Sequence, residues 1–131
     1  MAIRRISTSG IITTVAGTNG QWGYGGDGGQ ATKATMASPQ GVTVDASGTM
    51  YIADSGNQRI RRLDPGGIIT PIAGTGTAGF SGDGSLATAA TFSNPVAVAL
   101  DPSGALYVAD RDNNRVRRLV VGGTVTTLAK P

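Results

Sequence analysis

The chain repeats itself, and no other feature restricts its fold as much. Gly10-Ile-Ile-Thr-Thr-Val-Ala-Gly17 returns as Gly67-Ile-Ile-Thr-Pro-Ile-Ala-Gly74, 57 positions on, and Asp27 to Leu63 returns as Asp83 to Leu119, 56 positions on, with 19 identities in 37. One residue is therefore deleted between Gly74 and Asp83. A partial third copy opens the chain, where Ile3-Arg4-Arg5-Ile6 matches Ile60-Arg61-Arg62-Leu63 at an offset of 57, and Gly123-Thr-Val-Thr-Thr-Leu-Ala129 closes it. Self-similarity at such a period means stacked copies of one supersecondary unit, none of which buries its apolar face alone.

Within a unit the apolar spacing is that of short strands. Val42 and Val44 alternate with Thr43 and Asp45, a period of two. Asp45-Ala-Ser-Gly48 reads as a turn whose Asp side chain bonds the backbone two residues on. Met50 to Asp54 makes a second strand, Ser55 to Gln58 a turn, Arg59 to Leu63 a third strand, Asp64-Pro-Gly-Gly67 a turn, and Ile68 to Ala73 a fourth. Four antiparallel strands in a unit of this length are the signature of a β-propeller blade. Gly and Pro together occupy 27 of the 131 positions, which excludes a helical bundle, and no apolar run approaches the roughly 20 residues of a membrane-spanning helix.

The runs Pro39-Gln-Gly-Val-Thr-Val-Asp45, Tyr51-Ile-Ala-Asp54 and Asn57-Gln-Arg-Ile-Arg-Arg62, with the Ala-Gly-Thr-Gly and Gly-Asp-Gly stretches between units, resemble NHL repeats. The likeness is to the Gly-rich type found in large bacterial propellers and in teneurins, and it covers nearly the whole chain. It implies an all-β propeller. It is weak on function, since such propellers bind RNA, proteins or small ligands and a few related ones are enzymes.

With strands lettered A to D from the inside outward, the chain reads as one domain over residues 1–131. A half-blade of strands C and D covers 3–17, a first blade with its Gly-rich loop 18–73, and a second 74–129. Two blades and a half cannot close a ring, and each end leaves an apolar sheet face that a soluble monomer avoids. Burying about 800 Å² per chain at roughly 25 cal/mol per Å² supplies on the order of 20 kcal/mol before association costs. Closure by homo-oligomerisation is expected. Because NHL propellers usually have six blades, the resemblance implies a homotrimer with head-to-tail contacts. The surplus strands at 3–17 are expected to act as a clasp, pairing with strands A and B of a neighbour in place of its own C and D. A start in mid-repeat equally suits a piece excised or designed from a longer propeller.

Cys, His and Glu are absent, which removes thiol chemistry, imidazole base catalysis and the commonest zinc ligand. No catalytic residue, metal ligand or cofactor site is expected, and the chain reads as a non-enzyme. Residues 1–9 lack the apolar stretch of a secretory signal, so a soluble chain with no membrane partner is expected. The formal charge is +3, and all Arg residues except Arg111 fall in the copies of one motif.

Arg59 follows Asp54, and Arg115 follows Asp110, by five positions, so each pair is expected to form a structural ion pair across a hairpin. Arg61, Arg62, Arg117 and Arg118 are expected on a solvated outer face. The segments around Asp27 and Asp83 are read as turn-rich connections between blades; they lack the Lys and Ser/Thr of a phosphate loop and the ligand number of a calcium site. Residues 31–36 and 87–92 each suggest one short helical turn, with Met36 and Phe92 plugging inter-blade gaps. If a partner binds, a protein or small ligand on the loop face is favoured, with Trp22, Tyr24, Asp27, Phe80 and Asp83 as contact residues. Single-stranded RNA on the Arg-rich strands is the alternative reading, and a propeller enzyme the third.

Overall fold

The computed structural model describes residues 1–129, and within them the chain folds into three antiparallel sheets. Strands β1 (Ile3–Ile6) and β2 (Ile12–Ala16) pair alone. β3 (Pro39–Val44), β4 (Met50–Asp54), β5 (Arg59–Leu63) and β6 (Ile69–Ala73) form a four-stranded sheet in chain order. β7 (Pro95–Leu100), β8 (Leu106–Asp110), β9 (Arg115–Leu119) and β10 (Val125–Ala129) repeat that order. The two four-stranded antiparallel sheets are consistent with the blades expected from the repeat, and β1–β2 is a two-stranded sheet at the place of the expected half-blade. Lys130, which completes the basic count, lies outside the described residues.

Each β3–β4 type hairpin is closed by an Asp. Asp45 Oδ1 accepts from the Ser47 amide at 2.9 Å and the Thr49 amide at 3.0 Å, and Asp101 accepts from Ser103 and Ala105 at 2.8 and 3.1 Å. The next connection is a single 3-10 turn, Ser55–Asn57 or Arg111–Asn113, ended by Gln58 or Asn114 at φ +54° or +52°. The connections between sheets contain the short helical turns anticipated, at Ala31–Lys33 and Ala87–Ala89.

The two blades stack face to face, meeting most closely at the innermost strands β3 and β7. Gly41 makes this approach possible, since a Cβ there would lie 2.7 Å from Ala97 Cα and 2.8 Å from the Val96 carbonyl oxygen. Cross-strand register sorts the side chains. Tyr51, Ala53, Ile60 and Ile72 leave one face of the first blade and meet Val98, Leu106, Val108 and Leu119 of the second. Phe92 is fully buried in this cluster, reached from the loop above. Met36 holds the same place on the other side of the first blade, with Ile52, Leu63 and Ile69, against Ile3, Val15 and Ala16 of the half-blade. Removing these apolar side chains from water stabilises both junctions, at about 25 cal/mol per Å² buried.

Candidate functional site

The Gly-rich connections, residues 17–38 and 74–94, lie at one end of the blades and are fastened by side chains from the repeat motif. Asp54, at the end of β4, accepts from the Ala37 amide at 2.9 Å and from Asn57 Nδ2 at 2.8 Å. The same Asn57 amide group donates to the Gly23 carbonyl at 2.8 Å. Arg61 then spans the gap. Its Nη1 donates to Asp54 Oδ2 at 3.2 Å and to the Thr35 carbonyl at 2.7 Å, while Nε and Nη2 both donate to Asp27 Oδ1, at 3.1 and 2.8 Å. Both Arg61 and Asp54 are completely buried. Burial pushes the Asp54 carboxyl above its ordinary value, against the pull of Asn57, the Ala37 amide and Arg61.

The second unit repeats this network in a looser form. Asp110 accepts from the Ser93 amide at 2.7 Å and from Asn113 at 2.8 Å. Arg117 donates to the Thr91 and Ser81 carbonyls, each at 2.7 Å, and to Asp83 at 3.0 Å, but stands 3.6 Å from Asp110. Its Nε finds no acceptor among the described residues.

These networks correct three expectations. Asp54 and Asp110 ion-pair with Arg61 and Arg117, not with Arg59 and Arg115. Arg59 does stand opposite Asp54 in the register, but the carboxylate is turned under the loop, where the arginine two positions further along the same face reaches it diagonally. Arg61 and Arg117 are consequently buried, where a solvated face was expected, because the Gly-rich loops fold over them. Asp27 and Asp83 are engaged by those arginines, so they anchor the loops, Asp27 from within and Asp83 from the exposed rim. Burial opposes the hydrogen bonds from Thr127 and Arg117 to Asp83, and the bonds prevail, holding its carboxyl below the ordinary value.

Arg59 and Arg115 have another role. The Arg59 guanidinium stacks on the Tyr24 ring at 3.8 Å from its centroid, and Arg115 stacks on Phe80 at 4.4 Å. Arg59 also donates to the Thr75 carbonyl of the next loop, crossing the boundary between units. Burial, then the neighbouring Asp27, push the Tyr24 hydroxyl up from its ordinary value. Trp22, Tyr24 and Phe80 are all exposed, so the loop end presents one aromatic–arginine stack per unit, with the Trp beside the first. The stacks were missed in the sequence. Their signal was there, in the recurrence of an aromatic three residues before Asp27 and Asp83.

This end can hold a flat, anionic or mixed polar and apolar partner surface. It contains little that moves protons. Ser81, one of the hydroxyls at this end, shares a hydrogen bond with the Thr91 hydroxyl at 2.9 Å, and among the described residues no three His, Cys, Asp or Glu side chains gather. No helix among those residues is long and apolar enough to cross a membrane.

Two sheet faces stand open. The outer face of the second blade forms a shallow apolar groove lined by Ala97, Ala99, Tyr107, Ala109 and Val116. At the other end, β1 and β2 cover only part of the first blade, leaving a notch beside Met50 and Leu63 and exposing Val42 and Val44.

Comparison with known proteins agrees with this architecture. Residues 22–79 match the teneurin NHL domain family and residues 92–119 the NHL repeat family. Teneurin-1 of Mus musculus is 34% identical over 125 residues, covering 82% of this chain and 4% of its own length. Among solved structures, an auxiliary nutrient binding protein from Bacteroides thetaiotaomicron superposes with a TM-score of 0.70 at 27% identity, over 85% of this chain and 29% of that one. Virginiamycin B lyase from Staphylococcus aureus superposes with a TM-score of 0.60 at 21% identity, over 99% of this chain and 34% of the lyase. The chain spans less than a tenth of the length of the curated relatives it matches.

Proposed function

The chain belongs to the NHL-repeat family, and from that premise we propose that it is a non-enzymatic binding module whose ring of blades is completed by copies of itself, three chains giving six blades. The observation that carries this reading is a comparison of equivalent positions in the two units. Val98, inside the junction between blades, is 8% exposed, while its equivalent Val42 on the open side of the first blade is 47% exposed. Ile60 is fully buried in the junction, while its equivalent Val116 on the open side of the second blade is 38% exposed. Ile72 and Leu128 stand in the same relation, at 7% and 54%. The two open faces thus correspond to the two halves of the junction already formed within the chain, with Ala97 where that junction has Gly41, so head-to-tail contact between copies would reuse most of that packing but part slightly at the inner rim.

Light scattering after size exclusion tests it. A particle of three times the 13.1 kDa chain mass is expected, and a single-chain particle at micromolar concentration overturns it.

The partner surface of the ring is the loop end, where Trp22 and the Tyr24–Arg59 and Phe80–Arg115 stacks repeat around the axis. The Bacteroides neighbour, an auxiliary nutrient binding protein, and the teneurin likeness both support a binding role. A second reading, single-stranded RNA, is favoured by the stacked arginines, because bases stack on such planes. Filter binding at two salt concentrations decides between them: retention that falls with salt supports RNA, and none at low salt removes it. The lyase is similar in fold alone, and this chain has no His to carry such chemistry.

A further inference from the structure

The half-blade sits on the surface that a second copy needs. By repeat position Ile3 corresponds to Ile60 and Val116, and Val15 to Ile72 and Leu128. Ile3 and Val15 pack against the cluster of Met36, Ile52, Leu63 and Ile69 on the first blade. A second copy docking its open blade would bring its Val116 and Leu128 to those same two places, and its β7 and β8 over Val42 and Val44, which β1 and β2 leave bare. The two occupants exclude each other, residue for residue.

The half-blade is also held less firmly than the strands it imitates. Arg4 corresponds to the fully buried Arg61 and Arg117, yet it is exposed and has no acidic partner among the described residues. Ile6, Ile11 and Ile12 are exposed as well. Its inner edge, along β1, pairs with no further strand among the described residues.

We infer that β1–β2 is a displaceable plug: it shields the outer half of the docking face in the single chain and is expelled when the second blade of another copy docks. This rests on the ring reading above. A four-stranded blade covers more apolar surface than two strands do, but it must be recruited from solution, so the exchange depends on concentration. The alternative, in which β1–β2 clasps a neighbour's β8, requires that neighbour to release β9 together with the buried Arg117 and its bonds to Thr91, Ser81 and Asp83. Expelling the plug breaks no such network.

The test is made in the full chain with Ile3→Ser/Val15→Ser, which loosens the plug and leaves both complete blades untouched. Assembly is followed by light scattering across a dilution series, and trypsin cleavage after Arg4 and Arg5 reports whether the hairpin has been released. The expected result is an assembly midpoint about tenfold or more lower in concentration for the variant, with cleavage at Arg4 and Arg5 fast in the assembled parent and slow in the single chain. An unchanged midpoint in a parent that does assemble overturns the plug and leaves the ring standing. A raised midpoint, or loss of assembly, overturns the plug in favour of the clasp. A parent that stays single at every concentration overturns the ring and the plug together. Val116→Ser/Leu128→Ser keeps the plug and removes its competitor, so it is expected to abolish assembly while the hairpin remains protected; assembly at the parental midpoint overturns the exchange.

Discussion

Replacing Arg61 by Met separates a structural lock from a surface charge. The side chain is completely buried, and removing it leaves Asp54, also completely buried, without its counter-charge. Breaking a buried pair by deleting one partner costs about 3–5 kcal/mol, chiefly because the remaining charge stays buried and unpaired. At an m value of about 2 kcal/mol/M in urea, that is a midpoint shift of about 2 M. Arg117→Met serves as the internal control. Arg61 uses Nε on Asp27, a side chain only 19% exposed, whereas Arg117 Nε has no described acceptor and its Asp83 is 40% exposed. Arg117 lacks two of the charge-assisted hydrogen bonds of Arg61, from Nε to Asp27 and from Nη1 to Asp54, so Arg117→Met is expected to cost less by at least about 1.5–3 kcal/mol. Both are measured by urea denaturation followed by circular dichroism, at submicromolar concentration so that self-association does not add to stability. A loss below about 1 kcal/mol for Arg61→Met, or the greater loss at Arg117, would refute the reasoning.

Acid should unfold the protein partly through its hairpin turns. The Ser103 hydroxyl above all, with Tyr107 and two backbone amides, holds Asp101 down to about 2, and the Ser47 hydroxyl leads in lowering Asp45. Both folded values lie below the ordinary unfolded value of about 3.9, so their stabilisation is complete above about pH 4 and is lost as the pH falls through the folded values; Ser47→Ala/Ser103→Ala should flatten that decline in a series of denaturation midpoints, and an unaltered pH profile counts against it. Gly41→Ala should cost about 1–3 kcal/mol by overpacking the inner rim, read by thermal denaturation, and a neutral result would mean that β3 and β7 are free to part. Phe92→Ala should cost about 3–5 kcal/mol as a buried ring leaves a cavity, whereas Phe80→Ala, exposed and stacked only by arginine, should cost about 1 kcal/mol or less; equal losses in urea would contradict the placement of the two rings.

Much of the architecture was legible because the repeat aligns the strands with themselves. Asp45 and Asp101 marked their turns, Met36 and Phe92 marked the gaps they fill, and the half-blade at the start followed from Arg4 and Arg5. The pairing of charges was not legible in the same way. A spacing of five residues identified Arg59 as the main-chain neighbour of Asp54, which it is, but said nothing about the direction of the carboxylate. The deciding partner, Asp27, comes from a loop 34 residues away from Arg61, and linear spacing does not encode how a Gly-rich loop closes over a sheet. Arginines near a turn look solvated until such a lid is placed above them.

One small difference between the units falls at the inner rim. Where the first blade has Gly41, the second has Ala97, so the methyl group missing from the junction within the chain is present on the open face of the second blade. A copy docking on that face, as proposed above, would meet one methyl group more than the second blade meets at Gly41.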